Sequence, residues 1–273
     1  MRMLVAKVFG FACAGAVAGT TMPAHQSFDM ASAMLHETRH INVYVPPVYD
    51  TTKTMRFPVL YMPDGGMQED FPHVATDLDT AIRAGQVRPM IVIGIENTER
   101  RRDMTGPTDV ASDRKIAPHV GGSAAFRAFI ASELMPEVRR RYRTNGHTAI
   151  VGESLAGLFV VETFLLQPDL FDTYVALSPS LWWNDQSLLK STPARLKAWP
   201  ASHRKTLYFA TSGDDDIANA GEALATALSA HEPHQVRWFY VPRPDLQHSN
   251  IYVRASPEIF RKLFPAQSSF ATP

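Results

Sequence analysis

Thr148-Ala149-Ile150-Val151-Gly152-Glu153-Ser154-Leu155-Ala156-Gly157-Leu158-Phe159-Val160-Val161 is the segment on which the reading of this chain turns. Its first four residues are strand-like, and the apolar run from Leu158 on through Leu166 is helix-like. A serine between small residues at a strand-to-helix junction fits a nucleophile elbow, whose sharp turn lifts the serine oxygen clear of both elements. Small neighbours let the strand and helix backbones approach closely. The helix that follows aims its amino end at the site, where partial positive charge favours a forming oxyanion. The pattern departs from G-x-S-x-G, since Ala156 stands where the last glycine belongs and Gly157 comes one place later. A helix-capping serine is the plainer alternative.

Outward from the elbow, strand-like and helix-like stretches alternate. Strands are expected at 39–45, 57–62, 90–95, 173–178, 207–211 and 236–241, and helices at 76–83, from Ser123 onward with a kink at Pro136, at 221–228 and at 257–264. Residues 97–122 show no period and read as a long functional or mobile loop. Alternating strands and helices predict an α/β fold, a mostly parallel sheet with helices on both faces, in a single domain over residues 25–273.

The net charge of +0 excludes a general attraction to nucleic acid or to an anionic membrane. Arg139-Arg140-Arg141-Tyr142-Arg143 reads as a solvated helix end, where cations are favoured. The first 24 residues have the order of a secretory signal peptide: Arg2 and Lys7, an apolar core over 8–19, then Met22-Pro23-Ala24. The apolar run is too short to span a bilayer comfortably, so an exported chain without a stable membrane anchor is expected. Cys13, the one cysteine, lies in this segment, which leaves the mature chain without thiol chemistry or a disulfide.

A serine nucleophile needs an imidazole to take its proton and a carboxylate to steady the imidazole. In a sheet of this kind they follow in the order serine, acid, histidine, from loops at the carboxyl ends of strands. Gly213-Asp214-Asp215-Asp216 follows the 207–211 strand, and His248 follows the 236–241 strand. His248 is the candidate base. Asp216 is the preferred acid because a Gly-x-x-Asp turn can curl back, while Asp214 and Asp215 stay open and any of the three could instead cap a helix. The oxyanion donors expected are the backbone N–H of Leu155 and one from Asp64-Gly65-Gly66-Met67, with Gly66 preferred; a simple turn is the alternative there. His231-Glu232-Pro233-His234 lacks a third ligand, so no metal site is expected. Trp182 and Trp183 are either core or the wall of a substrate cleft.

Three segments carry a family resemblance. Pro58-Val59-Leu60-Tyr61-Met62-Pro63-Asp64-Gly65 resembles the P-V-L-Y-x-x-D-G segment of the serine esterases related to enterochelin esterase and esterase D. Asn97-Thr98-Glu99-Arg100-Arg101-Arg102-Asp103-Met104-Thr105 is similar to that family's N-T-D-R-x-R-D-L-T loop, and Ser178-Pro179-Ser180-Leu181-Trp182-Trp183 to its S-P-S-L-W-W stretch. The resemblance runs over residues 27–264. It implies an α/β-hydrolase fold, a Ser-acid-His triad and no cofactor, and it matches Ser154 to the nucleophile and His248 to the base. The expected activity is hydrolysis of a small-molecule carboxylic ester, of siderophore type or with a small acyl group, through an acyl-enzyme. Arg100 and Arg102 are candidate contacts for an acidic or catecholate substrate, or else surface charges. Glu153, which also precedes the serine in type-B carboxylesterases, either disfavours carboxylate substrates by its charge or simply points into a polar contact. Acyl transfer of the antigen 85 type and a non-catalytic binding protein on the same scaffold are the competing readings.

Overall fold

A computed structural model of the protein describes residues 21–199, 204–231 and 235–266. The apolar core of the expected signal peptide, Cys13 and most of the 231–234 histidine pair lie outside the described residues. Eight strands form one sheet: β1 (Gln26–Ser32), β2 (Glu37–Tyr44), β3 (Phe57–Pro63), β4 (Ile91–Ile95), β5 (Thr144–Glu153), β6 (Thr173–Leu177), β7 (Lys205–Ser212) and β8 (Val236–Arg243). Their spatial order is β1-β2-β4-β3-β5-β6-β7-β8. The β1–β2 and β2–β4 pairs are antiparallel, and every pair from β4 to β8 is parallel.

Strand residues alternate between two cores because successive side chains leave opposite faces of a strand. Val59, Tyr61, Ile91, Ile93 and Ile150 pack with α5 (Ser123–Phe129) and α7 (Leu155–Leu166) on one face. Leu60, Met62, Val92, Ala149 and Val151 pack with α2 (Phe71–Arg83) and α10 (Ile251–Leu263) on the other. Both faces of the central strands are therefore dry, which accounts for their continuous apolar sequence.

Several boundaries and elements differ from the sequence reading, beginning with a one-turn helix α1 (Val48–Thr51) between β2 and β3. β1 is an edge strand with mostly exposed or half-exposed residues, so Gln26-Ser27-Phe28-Asp29 shows no apolar run. The helix after Ser123 runs into a π-helical turn, Ile130–Leu134, before α6 (Met135–Arg141). Pro136 sits in the first turn of α6, where its missing N–H costs little, and the kink is absorbed by the wider π turn. Arg140 and Arg141 close α6 on Glu137 at 2.7 and 2.5 Å, as a solvated end. Residues 97–122 are not a plain loop: they hold α3 (Arg100–Met104) and α4 (Ala111–Ile116). Across them lies α8 (Trp183–Lys197), which the sequence reading missed because it is polar and contains Pro193. The remaining long helix, α9 (Asp215–His231), bridges β7 and β8.

Candidate active site

Ser154 sits between β5 and α7 at φ 59° and ψ −119°, a backbone that non-glycine residues adopt only under constraint. The constraint comes from both sides. Ser154 N–H donates to Leu177 O at 3.0 Å, and Ser180 N–H donates to Ser154 O at 3.0 Å. A Cβ on Gly157 would lie 2.9 Å from Leu177 O, so glycine is required where α7 crosses β6. That requirement explains the displaced glycine of the motif: Gly157 faces the neighbouring strand, whereas Ala156 packs its methyl toward Gly152, where an added Cβ would come within 2.7 Å.

His248 lies in the connection from β8 to α10, 94 residues from the serine. Its Nε2 is 3.0 Å from Ser154 Oγ. Gly213 N–H donates to Leu246 O at 2.9 Å and ties this connection to the end of β7. The ring's Nδ1 is buried and hydrogen-bonds to nothing among the described residues. Asp214 accepts from Ser212 Oγ at 2.6 Å and from the His248 backbone N–H at 3.0 Å through one oxygen, Oδ2. Asp216, the preferred acid of the sequence reading, stands in the first turn of α9 with its Oδ1 taken by the Ile217 N–H at 3.0 Å. The carboxylate brought to the histidine loop is thus that of Asp214, and neither reaches the ring by a hydrogen bond. Burial lowers the His248 pKa from its ordinary value; Asp214 and Asp216 oppose this and Arg100 adds to it.

The turn after β3 provides the next piece. Asp64 takes a positive φ of 55°, and Gly65 is pressed so closely on β4 that a Cβ would lie 2.2 Å from Ile95 N. The expectation that Gly66 supplies an oxyanion donor needs correction, because its N–H is already given to Glu69 Oε2 at 2.7 Å. The Met67 N–H makes no hydrogen bond among the described residues. Leu155, first residue of α7, has an N–H with no acceptor inside the helix.

Arg100 and Arg102 are engaged with the protein itself. Arg100 grips Asp64 with two bonds of 2.6 and 2.8 Å, and Asn97 joins Asp64 to Glu69 at 2.6 and 2.8 Å. Arg102 reaches Asp103 and Glu37 at 2.7 Å each. The 97–105 segment therefore works as a brace that fixes the turn after β3. Trp183 is buried and donates Nε1–H to Gly106 O at 2.8 Å, which places it in the core, while Trp182 is half-buried. A cavity of about 670 Å³, lined by Arg102, Arg114, His119 and Val120, opens beside α3 and α4.

Glu153, whose geometry the sequence reading did not resolve, is drawn into the centre. Its Oε1 lies 3.2 Å from His248 Nε2, the nitrogen that faces Ser154 Oγ, and has no hydrogen-bond partner among the described residues. Burial pushes its carboxyl up to about 8, with Arg100 opposing and Asp70 and Asp64 reinforcing the rise. No group of three or more His, Cys, Asp or Glu side chains among the described residues is placed to hold a metal ion.

An eight-stranded sheet of this order with a strained serine at the central strand-to-helix turn is an α/β-hydrolase. Residues 32–241 match the family described as "Putative esterase", and the chain belongs to that esterase family. The ferri-bacillibactin esterase BesA of Bacillus subtilis is 32% identical over 192 residues, which cover 63% of this chain and 64% of that protein. The siderophore triacetylfusarinine C esterase of Aspergillus fumigatus is 33% identical over 143 residues, 51% of this chain and 42% of that protein. These matches span less than two thirds of the curated relatives' own length. Among solved structures, an IroE-like serine hydrolase from Shewanella oneidensis superposes with a TM-score of 0.81 at 26% identity, covering 88% of this chain and 80% of that one. Siderophore hydrolase EstB from Aspergillus nidulans shares the fold with a TM-score of 0.74 at 20% identity, over 94% and 99% of the two chains.

Proposed function

We propose that the protein is an exported serine esterase that cleaves carboxylic esters through an acyl-enzyme on Ser154. The observation that carries this reading is the 3.0 Å approach of His248 Nε2 to Ser154 Oγ, made by two loops distant in sequence. His248 takes the serine proton as Oγ attacks the acyl carbon, the Leu155 and Met67 N–H groups receive the oxyanion, and His248 returns the proton to the departing alkoxide. Water, deprotonated by the same ring, then releases the acid. Asp214 acts as the triad acid through the loop it anchors and through its charge. The names of the relatives favour a siderophore-type ester as substrate, and residues 1–24 direct export.

A fluorophosphonate probe reacts only with an activated serine. Labelling is expected for the wild type and is lost in Ser154→Ala; a folded wild-type protein that stays unlabelled overturns the proposal. The pH profile follows from the imidazole. His248 acts as a base only when neutral, and its pKa is lowered by burial. The acidic limb of kcat/KM is therefore expected to have its midpoint below the ordinary histidine value of about 6.5, with activity rising as pH increases through it.

A further inference from the structure

The imidazole nitrogen that receives the serine proton later hands it to the leaving alcohol. Any side-chain atom packed against that nitrogen therefore borders the alcohol half of the ester. Here the atom is Glu153 Oε1, 3.2 Å from His248 Nε2. The acids around it are otherwise engaged: Asp64 with Arg100 and Asn97, Glu69 with Gly66 and Asn97, and Asp70 with His73. Only Glu153, whose side chain is 16% exposed, keeps a buried carboxyl oxygen without a hydrogen-bond partner among the described residues. Native folds almost always satisfy a buried acceptor, by protein, water or ligand, and this one borders the reacting atoms.

We propose that Glu153 is a specificity-determining residue whose unpaired oxygen accepts an N–H carried by the alcohol half of the ester, two or three bonds from the scissile oxygen. The inference rests on the serine-esterase reading. Neighbouring groups favour a donor over a second acceptor. Arg100, the nearby cation of α3, is held by Asp64, and Asp64 and Asp70 add negative potential. From α10 and the loop before it, Tyr252 and His248 face the same carboxyl. Burial drives the Tyr252 phenol well above its usual range and the His248 ring below its own. Glu153 changes charge between them, at about 8. An ionised acceptor holds an N–H more tightly than a neutral one, so the preference grows with pH.

The test compares 2-acetamidoethyl butanoate with 4-oxopentyl butanoate, which differ only by CH₂ in place of N–H. The wild type is expected to favour the amide in kcat/KM by on the order of tenfold at pH 7, and by more at pH 9. Glu153→Gln keeps a neutral acceptor and is expected to retain the preference without its growth with pH. Glu153→Leu removes the acceptor and brings the two constants together. Equal constants in the wild type, or an undiminished preference in Glu153→Leu, overturn the inference while the esterase reading stands. Failure of the wild type to cleave either ester or to react with a fluorophosphonate overturns both.

Discussion

His248→Ala is expected to lower kcat/KM by about four to six orders of magnitude, since a serine stripped of its base loses nearly the whole advantage of the nucleophilic route. The ring is 38% exposed and fills no core position, so the variant stays folded and the loss lies in chemistry. The same substitution in a Ser154→Ala background is expected to cost almost nothing more, because residues that act as one unit are strongly non-additive. Loss of less than about tenfold in His248→Ala, with folding verified by circular dichroism, would remove the imidazole from the mechanism. The aspartates divide by the same logic. Asp214→Asn weakens a carboxylate that holds the His248 backbone and takes the Ser212 hydroxyl, so its effect is expected to exceed that of Asp216→Asn. Asp216 holds only its own helix's N–H.

What could be read in advance was what local sequence dictates. The elbow announces itself because a strand buried on both faces, a turn of small residues and an apolar helix are all short-range features. The order of serine, acids and histidine followed from the strand sequence, and it placed Ser154 and His248 on loops that do meet. The choice among Asp214, Asp215 and Asp216 did not follow. It depends on how the first turn of α9 starts against the His248 loop, a matter of a few ångströms set by contacts 34 residues apart. The Gly66 donor was misjudged for a similar reason: its acceptor, Glu69, lies in the same turn, but the turn's shape is imposed by Ile95 and Arg100 from elsewhere. Arg100 and Arg102 looked like surface or substrate-binding charges because their partners, Asp64 and Glu37, are 36 and 65 residues away.

That long-range brace also sets the second large effect, Asp103→Ala, which is expected to destabilise the fold by about 3–5 kcal/mol. Asp103 and Arg39 are both buried, at 1% and 0% exposure, and form a charge-assisted pair; Arg39 lies over the Phe126 and Phe129 rings at 5.3 and 5.9 Å. Removing the carboxylate strands one guanidinium in an apolar setting with Glu37 as its remaining acid, 2.5 Å away, and takes a partner from Arg102 as well. For a domain of this size the midpoint of thermal unfolding should fall by about 10 °C. Arg39→Met is expected to cost less, because Asp103 keeps its 2.7 Å bond to Arg102 and the Met side chain refills the aromatic pocket. The order of the two variants is the decisive measurement: a buried guanidinium that loses its buried carboxylate costs more than a carboxylate that keeps a second cation. Activity should follow a different course from stability. Asp103 lies on α3, the helix whose Arg100 clamps Asp64 in the turn after β3, beside the proposed Met67 donor. Well below its melting temperature, Asp103→Ala is therefore expected to lose kcat while KM changes little, as donors aimed at the transition state drift out of place. A variant with wild-type kcat and a midpoint shifted by less than about 3 °C would mean that the brace holds nothing.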